Sequence, residues 1–509
     1  MTPSPLHPRP SGAAHRPAAP VAVPTYDRRR LVRSVVHIGV GGFARAHQMV
    51  YFDEIAQRRI SDGWGVVGVG MHDPALREAL APQDWMYLVV QRGAGQERAR
   101  VVGSMVDYHF APQDPAAVVA TLAAATTRLV TLTITGGGYG VDPVTGRFDP
   151  DDPEVLADLR DLDRPRSAVG MIVAALDRRR RTGAGPFTVL SCDNLRSNGR
   201  AARSAVVGFA RLRDEVLARW IGDHVTFPAS MVDRITPRTT AADRRAVAER
   251  FGVQDRWPVV TEPSSWWVVE DAFCAERPPL DQVGVLFTSD VRPYELMKTR
   301  LLNGTHCALG YLGLLAGLTH VHEALADPVL RGYAARLMAE EVAPLLPAVP
   351  GVDLAGYTDD VLRRLADPAL ADRLERLCER GSTKMPGYLL PSLHEALDRG
   401  RPHALLTLAV AAWFRFLRDA GPGAERDPEL RTLGARTGLD PRPLLGVRAV
   451  FGDLGDHPSF VTALAAALVD LERDGVREAV RARIAAPPRL TAGRGSGPTE
   501  RDTRSGAPA

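Results

Sequence analysis

The sequence predicts an α/β domain built on a mostly parallel sheet, followed by an all-α domain. Three observations predict it. Short, fully apolar runs alternate with helix-period segments through the first half of the 509 residues. A glycine-rich turn joins the first such run to the first helical segment. Beyond Arg292 strand-like runs give way to one helical pattern after another. With 45% hydrophobic and 24% charged residues, the composition is that of a globular protein with material for more than one core.

The elements follow in order. The first thirty residues are rich in Pro, Ala and Arg and lack the apolar stretch of a secretory signal, so residues 1–30 are expected to be a disordered tail. "RRRLVRSVVHIGV" has a twin-arginine look, but Arg33 and His37 interrupt its apolar part, and it reads as a first strand. "FARAHQMVYFDEIAQRR" reads as the first helix, "GVVGVGM" as the second strand and "DPALREALA" as the second helix. "RLVTLTIT", "FTVLSCDN" and "PVVTEP" are further strands, separated by helical stretches such as "SAVGMIVAALDRRRR". Fully apolar strands alternating with helices call for a parallel sheet covered on both faces. The α/β domain is placed at residues 31–288 and the helical domain at 289–485. The second opens with "YELMKTRLLNGTHCALGYLGLLAGL" and closes with "SFVTALAAALVDLERDGVREAVRARI". Residues 486–509 are again poor in apolar residues and are expected to be a second disordered tail.

The charge balance, 63 Lys and Arg against 60 Asp and Glu, calls for neither a nucleic acid nor an acidic membrane. Cys192, Cys274, Cys307 and Cys378 are widely spaced, which gives neither a disulfide framework nor a structural zinc site and fits a reducing cytoplasm. No apolar run reaches the roughly eighteen residues of a membrane span.

Four stretches can carry chemistry. In "GVGGFARAH", Gly39, Gly41 and Ala44 match the G-x-G-x-x-A form of the dinucleotide fingerprint, in which glycines let the backbone approach a pyrophosphate at a helix N-terminus. The pattern alone also fits a plain turn. Its place between strand and helix favours a Rossmann-type cofactor site, with Gly39, Gly41, Gly42, Phe43 and Arg45 as candidates and His47 nearby. Asp73, after the second strand, is placed to bind an adenosine ribose, or to cap the helix that follows. "TITGGGYG" ends another strand, and Gly137 and Gly138 are candidates for close approach to the nicotinamide half, the alternative being a simple loop. "SCDNLRSNG" sets Asp193 and Asn194 at the same edge, where an amide can donate to an oxygen gaining charge or either residue can form a turn.

The fourth stretch is "ELMKTRLLNGTH". At about 100° per residue, Glu295, Lys298, Asn303 and His306 fall within an arc of roughly 140°, with Leu296, Leu301 and Leu302 largely off it. Such a stripe faces solvent or a cleft. A lysine set in apolar surroundings can lose its proton near neutral pH and serve as a base.

"GVGGFARAH", "TITGGGYG", "SCDN", "FPASMVDRITP", "PVVTEP", "VVEDAF", "PYELMKTRLLNGTH" and "GSTKMPGYLLPSL", in this order, resemble the polyol-specific long-chain dehydrogenases, the mannitol 2-dehydrogenase and fructuronate reductase family. The resemblance implies a Rossmann-type domain, a helical domain and an active site between them, with metal-independent, NAD(P)-dependent oxidation of a secondary alcohol. It implies Lys298 as general base, Asn194 and Asn303 holding the reacting oxygen, and His306 orienting substrate and lysine. Asp233, Arg376 and Lys384 match positions that bind the other hydroxyls. NAD is expected rather than NADP, because Asp73 would repel a 2′-phosphate and no Arg or Lys precedes Arg77 in "GVGMHDPAL". The expected reaction is of the D-mannitol/D-fructose type, in a cytoplasmic monomer. Reduction of a fructuronate- or tagaturonate-type keto-sugar acid and oxidation of mannitol 1-phosphate are alternatives within the class. An NAD-binding regulatory protein of weak activity is the alternative outside it. Two departures stand out: Gly136 occupies the place of the family's usual Glu, and Ser264 and Trp266 replace its usual Phe and Gln.

Overall fold

The computed structural model describes residues 19–485 apart from 94, 143–145, 162–163 and 420–426. It forms two compact units, Met1–Lys298 with Asp367–Asp372, and Thr299–Ala366 with Arg373–Ala509.

The first unit is organised by five parallel strands: β1 (Arg33–Ile38), β2 (Gly65–Gly70), β3 (Met105–Phe110), β4 (Leu129–Leu132) and β5 (Thr188–Ser191). Their order is β3-β2-β1-β4-β5. Each connection returns the chain to the same sheet edge, and the strand order reverses between β1 and β4, the switch point at which open α/β sheets bind ligands. Both faces are covered. Val36 and Ile38 of β1 join the core under helices Pro115–Ala123, Ala168–Thr182 and Asn198–Arg213. Val35, on the opposite face, joins a core shared with helix Gln48–Gln57 and Trp267. His37 shares Val35's face, and its ring nitrogens lie 2.8 and 2.9 Å from the hydroxyls of Thr131 and Thr133. Burial pushes its pKa down to about 3, so it is a neutral strut.

Two smaller sheets complete this unit. One pairs Tyr87–Gly93 antiparallel with Gln96–Val102 and parallel with Val259–Thr261. The other sets Trp266–Glu270 between Ser230–Asp233, antiparallel, and Leu286–Thr288, parallel. "PVVTEP" is thus a strand of the second sheet and not of the main one.

The N-terminal tail expected over residues 1–30 has to be corrected. Residues 19–30 belong to the first unit. Val21–Ala22 pairs in parallel with Gln96–Val102, and the Tyr26 hydroxyl donates to Asp53 at 2.6 Å. Arg28 donates to the carbonyls of Gly103 and Met105 at 2.8 Å each. The segment is held by backbone pairing and polar anchors, which apolar content does not reveal. Residues 1–18 and the tail expected at 486–509 lie outside the described residues.

The second unit is helical, and among its described residues there are no strands, only one isolated bridge, His320 to Arg373. Helix Ala404–Arg418 is buried nearly all round and packs on Gly304–Leu315 and Pro458–Ala485. The last of these, expected as one helix, bends at Gly475, whose φ is +75°. Among the described residues no helix is long and apolar enough to cross a membrane.

Candidate active site

The turn after β1 depends on a missing side chain. Gly39 has φ +93°, and a Cβ there would stand 2.2 Å from the Thr133 carbonyl oxygen at the end of β4. The Thr133 hydroxyl donates to the Gly39 carbonyl at 2.8 Å, and the Gly39 amide donates to Val69 at 2.9 Å. Gly41 caps helix Gly42–Ala46, and nothing lies within 4 Å of where a Gly42 Cβ would be. A dinucleotide phosphate needs this kind of bare backbone, so the turn fits the group. The helix expected to run unbroken from Phe43 instead breaks at His47 (φ −117°, ψ −87°) and resumes at Gln48.

Arg45 is buried behind this turn. Its guanidinium is 2% exposed, donates to the Trp257 carbonyl at 2.5 Å and to the Gly41 carbonyl at 3.3 Å, and lies 5.1 Å from the Tyr87 ring centre. It holds the turn from behind. Phe43 stacks on His47 at 5.0 Å. Asp73 is exposed beyond β2, one residue before Pro74, which stands at the N-cap of helix Ala75–Leu80, and accepts the Ala75 amide at 2.8 Å.

The turn after β4 is built by a carboxylate on the neighbouring strand. Asp193, just past β5, accepts the amides of Ile134 and Thr135 at 3.0 Å each and the Tyr139 hydroxyl at 2.8 Å. Tyr139 Oη also lies 2.6 Å from the Ser191 hydroxyl. These bonds hold Thr135 at φ +64°, a strained conformation for a β-branched residue. Burial raises the Asp193 carboxyl above its ordinary range, against the hydrogen bonds from Tyr139, Ile134 and Thr135. Gly136 and Gly137 are exposed. A Cβ on Gly136 would meet only Leu195 Cδ1, at 3.7 Å, and one on Gly137 nothing within 4 Å, whereas one on Gly138 would press on Ile134 at 3.1 Å.

Asn194 follows, and its Oδ1 accepts Lys298 Nζ at 2.6 Å. That geometry assigns Oδ1 to the lysine and makes Nδ2 the donor end of the amide. Lys298 is 4% exposed. One turn before it, Glu295 accepts the Ser197 amide at 3.0 Å, so the loop after Asn194 is tied to the helix that carries the lysine. Burial raises the Glu295 carboxyl, opposed by Arg196, Arg292 and Lys298. Asp233, 3% exposed, ends its strand directly opposite Trp266. His47 Nε2 lies 3.1 Å from the Trp266 carbonyl, and burial takes its pKa down to about 3.

Lys298 begins a π-turn. Arg292–Met297 is α-helical, Lys298–Asn303 is π-helical and Gly304–Leu315 is α-helical again. The arc drawn at a constant 100° per residue therefore does not hold through this stretch. Asn303, 8% exposed, ends the π-turn, and His306 is half-buried three residues further on, at the start of the next helix. Arg300 inside the π-turn pairs with Glu395. Elsewhere in the second unit Lys384 donates to the carbonyls of Arg376 and Leu377 at 2.9 and 3.2 Å, and burial lowers its pKa. Lys384 and the Arg376 backbone are thus brought together.

The sequence reading missed the groups that shape the turns: Thr133, Tyr139, Ser191 and Ser197. Their signal is weak, since each is a hydroxyl or amide acting through one contact distant in sequence. Among the described residues no group of three or more His, Cys, Asp or Glu side chains is placed to hold a metal.

A model of the mannitol dehydrogenase Rossmann domain matches residues 33–282, and one of the mannitol dehydrogenase C-terminal domain matches 290–472. The chain is 42% identical over 470 residues to a mannitol 2-dehydrogenase of Phaeosphaeria nodorum, covering 90% of this chain and 83% of that one. Among solved structures it is similar to Pseudomonas fluorescens mannitol 2-dehydrogenase in a ternary complex with NAD and D-mannitol, with TM-score 0.87, 38% identity and coverage of 92% and 98%. It is also similar to a substrate-free D-sorbitol dehydrogenase, with TM-score 0.80, 33% identity and coverage of 90% and 97%. A Rossmann-ordered sheet, a bare turn at its switch point and matches along nine-tenths of the chain lead to one statement: this chain belongs to the mannitol dehydrogenase family of oxidoreductases.

Proposed function

We propose that this chain is an NAD-dependent polyol dehydrogenase that interconverts a polyol and a ketose of the D-mannitol/D-fructose type. The observation that carries the reading is the 2.6 Å hydrogen bond between Lys298 Nζ and Asn194 Oδ1, buried beyond the end of β5. It sets an amine beside an amide whose other end donates, which are the two groups that oxidation of an alcohol requires. The neutral amine of Lys298 takes the hydroxyl proton. The Asn194 amide, with Asn303 as second donor, stabilises the oxygen as it gains negative charge. His306 orients the substrate, and Asp233, Arg376 and Lys384 hold the remaining hydroxyls.

Bound NAD supplies the hydride acceptor. Gly39, Gly41 and Gly42 hold its phosphates, Gly137 and Gly138 give backbone access to the nicotinamide half, and Phe43 closes the turn on His47. Arg45 serves this site by bracing the Gly41 carbonyl. Asp73, exposed beyond β2, favours NAD over NADP through the ribose hydroxyl and repulsion of a 2′-phosphate. No metal enters the reaction, since the lysine and the amides cover both proton removal and charge stabilisation. With Gly136 lacking a side chain, Glu295, one turn from Lys298, is the acid through which the proton leaves.

The test is a panel of polyols, ketoses, uronates and sugar phosphates assayed with NAD and NADP. Turnover is expected with a neutral polyol and NAD. Lys298→Ala should lower turnover about 10²- to 10⁴-fold and leave NADH affinity nearly unchanged. Near-normal turnover of Lys298→Ala on the best substrate would sink the assignment.

A further inference from the structure

The strand that leads into the cofactor turn carries one polar ring among its apolar side chains, His37 in "SVVHIGV". It is 1% exposed and lies between β2 and β4. A valine or isoleucine would fill an inner position of a parallel strand with no polar group to satisfy. A buried imidazole costs stability unless its nitrogens find partners. His37 finds both on one face of β4. Thr131, directly beside it, stands 2.8 Å from Nδ1, and Thr133, two residues on, stands 2.9 Å from Nε2.

The direction of these bonds follows from the chemistry of the groups. The Thr133 hydroxyl lies 2.8 Å from the Gly39 carbonyl oxygen, which only accepts, so its single proton goes there. The same hydroxyl must then accept from His37, which places the ring proton on Nε2. Burial keeps the ring neutral, so Nδ1 is bare and accepts from the Thr131 hydroxyl. One ordered chain results, from Thr131 through His37 and Thr133 to the Gly39 carbonyl. The other side of the same peptide is held by β2, where the Val40 amide donates to the Val69 carbonyl at 3.3 Å. Glycine by itself does not select a positive φ, since it reaches both signs about as readily. The Gly39–Val40 peptide is instead pinned from both neighbouring strands, at the residue whose φ is +93°.

We propose that His37 and Thr133 are positioning residues for the dinucleotide: the ring Nε2–H occupies the acceptor side of the Thr133 hydroxyl and so commits its proton to the Gly39 carbonyl, which sets the backbone that meets the phosphates. The inference rests on the NAD-binding reading of this turn and adds to it the groups that hold the turn in shape. An apolar residue at position 37 would fill the strand and leave the Thr133 proton without a fixed direction. The imidazole thus supplies orientation where an aliphatic side chain supplies only volume.

The test measures the Kd for NADH by fluorescence titration, with urea midpoints alongside, in wild type, Thr133→Val, Thr133→Ser, His37→Leu and the double variant His37→Leu with Thr133→Val. Ser34→Ala is the control. Its hydroxyl is fully buried at the far end of the same strand and donates to the Gly63 carbonyl at 2.5 Å, so its loss lowers stability away from the turn. Thr133→Val is expected to weaken NADH binding about tenfold, and His37→Leu about threefold or more. Thr133→Ser keeps the hydroxyl and should stay within about twofold of wild type, as should Ser34→Ala. Because His37 acts through Thr133, adding His37→Leu to Thr133→Val should change the Kd by less than about twofold further. The proposal is overturned if Thr133→Val weakens NADH no more than Ser34→Ala does, or if the effects of His37→Leu and Thr133→Val multiply in the double variant. If Thr133→Val does not fold, Thr133→Ser and His37→Leu decide: Ser must keep the affinity that Leu loses. If wild type binds NADH and the variants do not respond in this way, only this inference falls. If wild type binds neither NADH nor NADPH, the dehydrogenase reading falls and takes the inference with it.

Discussion

The turns after β1 and β4 lie side by side at one sheet edge, both rich in glycine, and are built in opposite ways. In the first, Gly39 is dictated by geometry: its φ is +93° and the Thr133 carbonyl occupies the space of a Cβ. In the second, the shape comes from Asp193, which gathers two amides and a hydroxyl, while Gly136 and Gly137 border open space. Gly39 is therefore a necessity in one turn, while Gly136 and Gly137 mark freedom in the other. The second turn is the one where the chain can change its chemistry without changing its fold.

Gly39→Ala should separate the two turns most sharply. A side chain at positive φ costs about 1–3 kcal/mol, and overpacking against Thr133 adds about 1–3 kcal/mol. Chemical denaturation should show the loss, and NADH titration should show weakened binding. A variant as stable as wild type would mean that the β1 turn is as permissive as its neighbour.

Asp193→Asn comes next. It turns an amide N–H₂ toward a ring of donors and should cost roughly 1–3 kcal/mol. The loss should depend on pH. Burial raises the folded-state pKa of Asp193, so its contribution is fully present below its ordinary value and is lost as pH rises through the raised one. Asn does not titrate, so the deficit of the variant should be largest near pH 4 and smaller near pH 8 when urea midpoints are compared. A deficit that grows with pH would contradict this account of the second turn.

Gly136→Glu should have the smallest effect on the fold, within about 0.5 kcal/mol, because a Cβ there meets only Leu195. NADH affinity should hold, while the rate or pH profile of alcohol oxidation moves. Equal changes in cofactor affinity and rate would show that the second turn is not open in the sense proposed.

The same contrast explains what the sequence made legible. Strands β1, β2, β4 and β5 announce themselves as apolar runs, and the Gly39 turn is visible because its glycines are neighbours in sequence, although the Thr133 carbonyl that demands Gly39 lies 94 residues on. The hairpin of Tyr87–Gly93 and Gln96–Val102 was not read: its strand residues are mixed with Arg and Gln, and its pairing is a tertiary fact. Lys298 and Asn194 could be singled out, but their hydrogen bond spans 104 residues and no periodicity encodes it. Arg45 is a candidate for the cofactor site because it sits in the Gly39 turn, but its hydrogen bond to the Trp257 carbonyl, 212 residues away, is not encoded there. The strap of residues 19–30 was hidden for the same reason.

The π-turn at Lys298–Asn303 has a consequence for chain length. Its backbone bonds close over five residues where an α-helix closes over four, so this stretch contains one residue more than an ordinary helix would use. Losing one residue between 299 and 302 would let the helix close in the commoner geometry, with no fold-level reason to object. The wider turn absorbs its extra residue, so the helix beyond such a deletion would keep nearly the same bearing about its axis. The change would be confined to the backbone between Lys298 and Asn303, where the wide ring would close up. A chain one residue shorter would gain a more regular helix and lose only this bulge, so the surplus residue is a local device of the turn that carries Lys298.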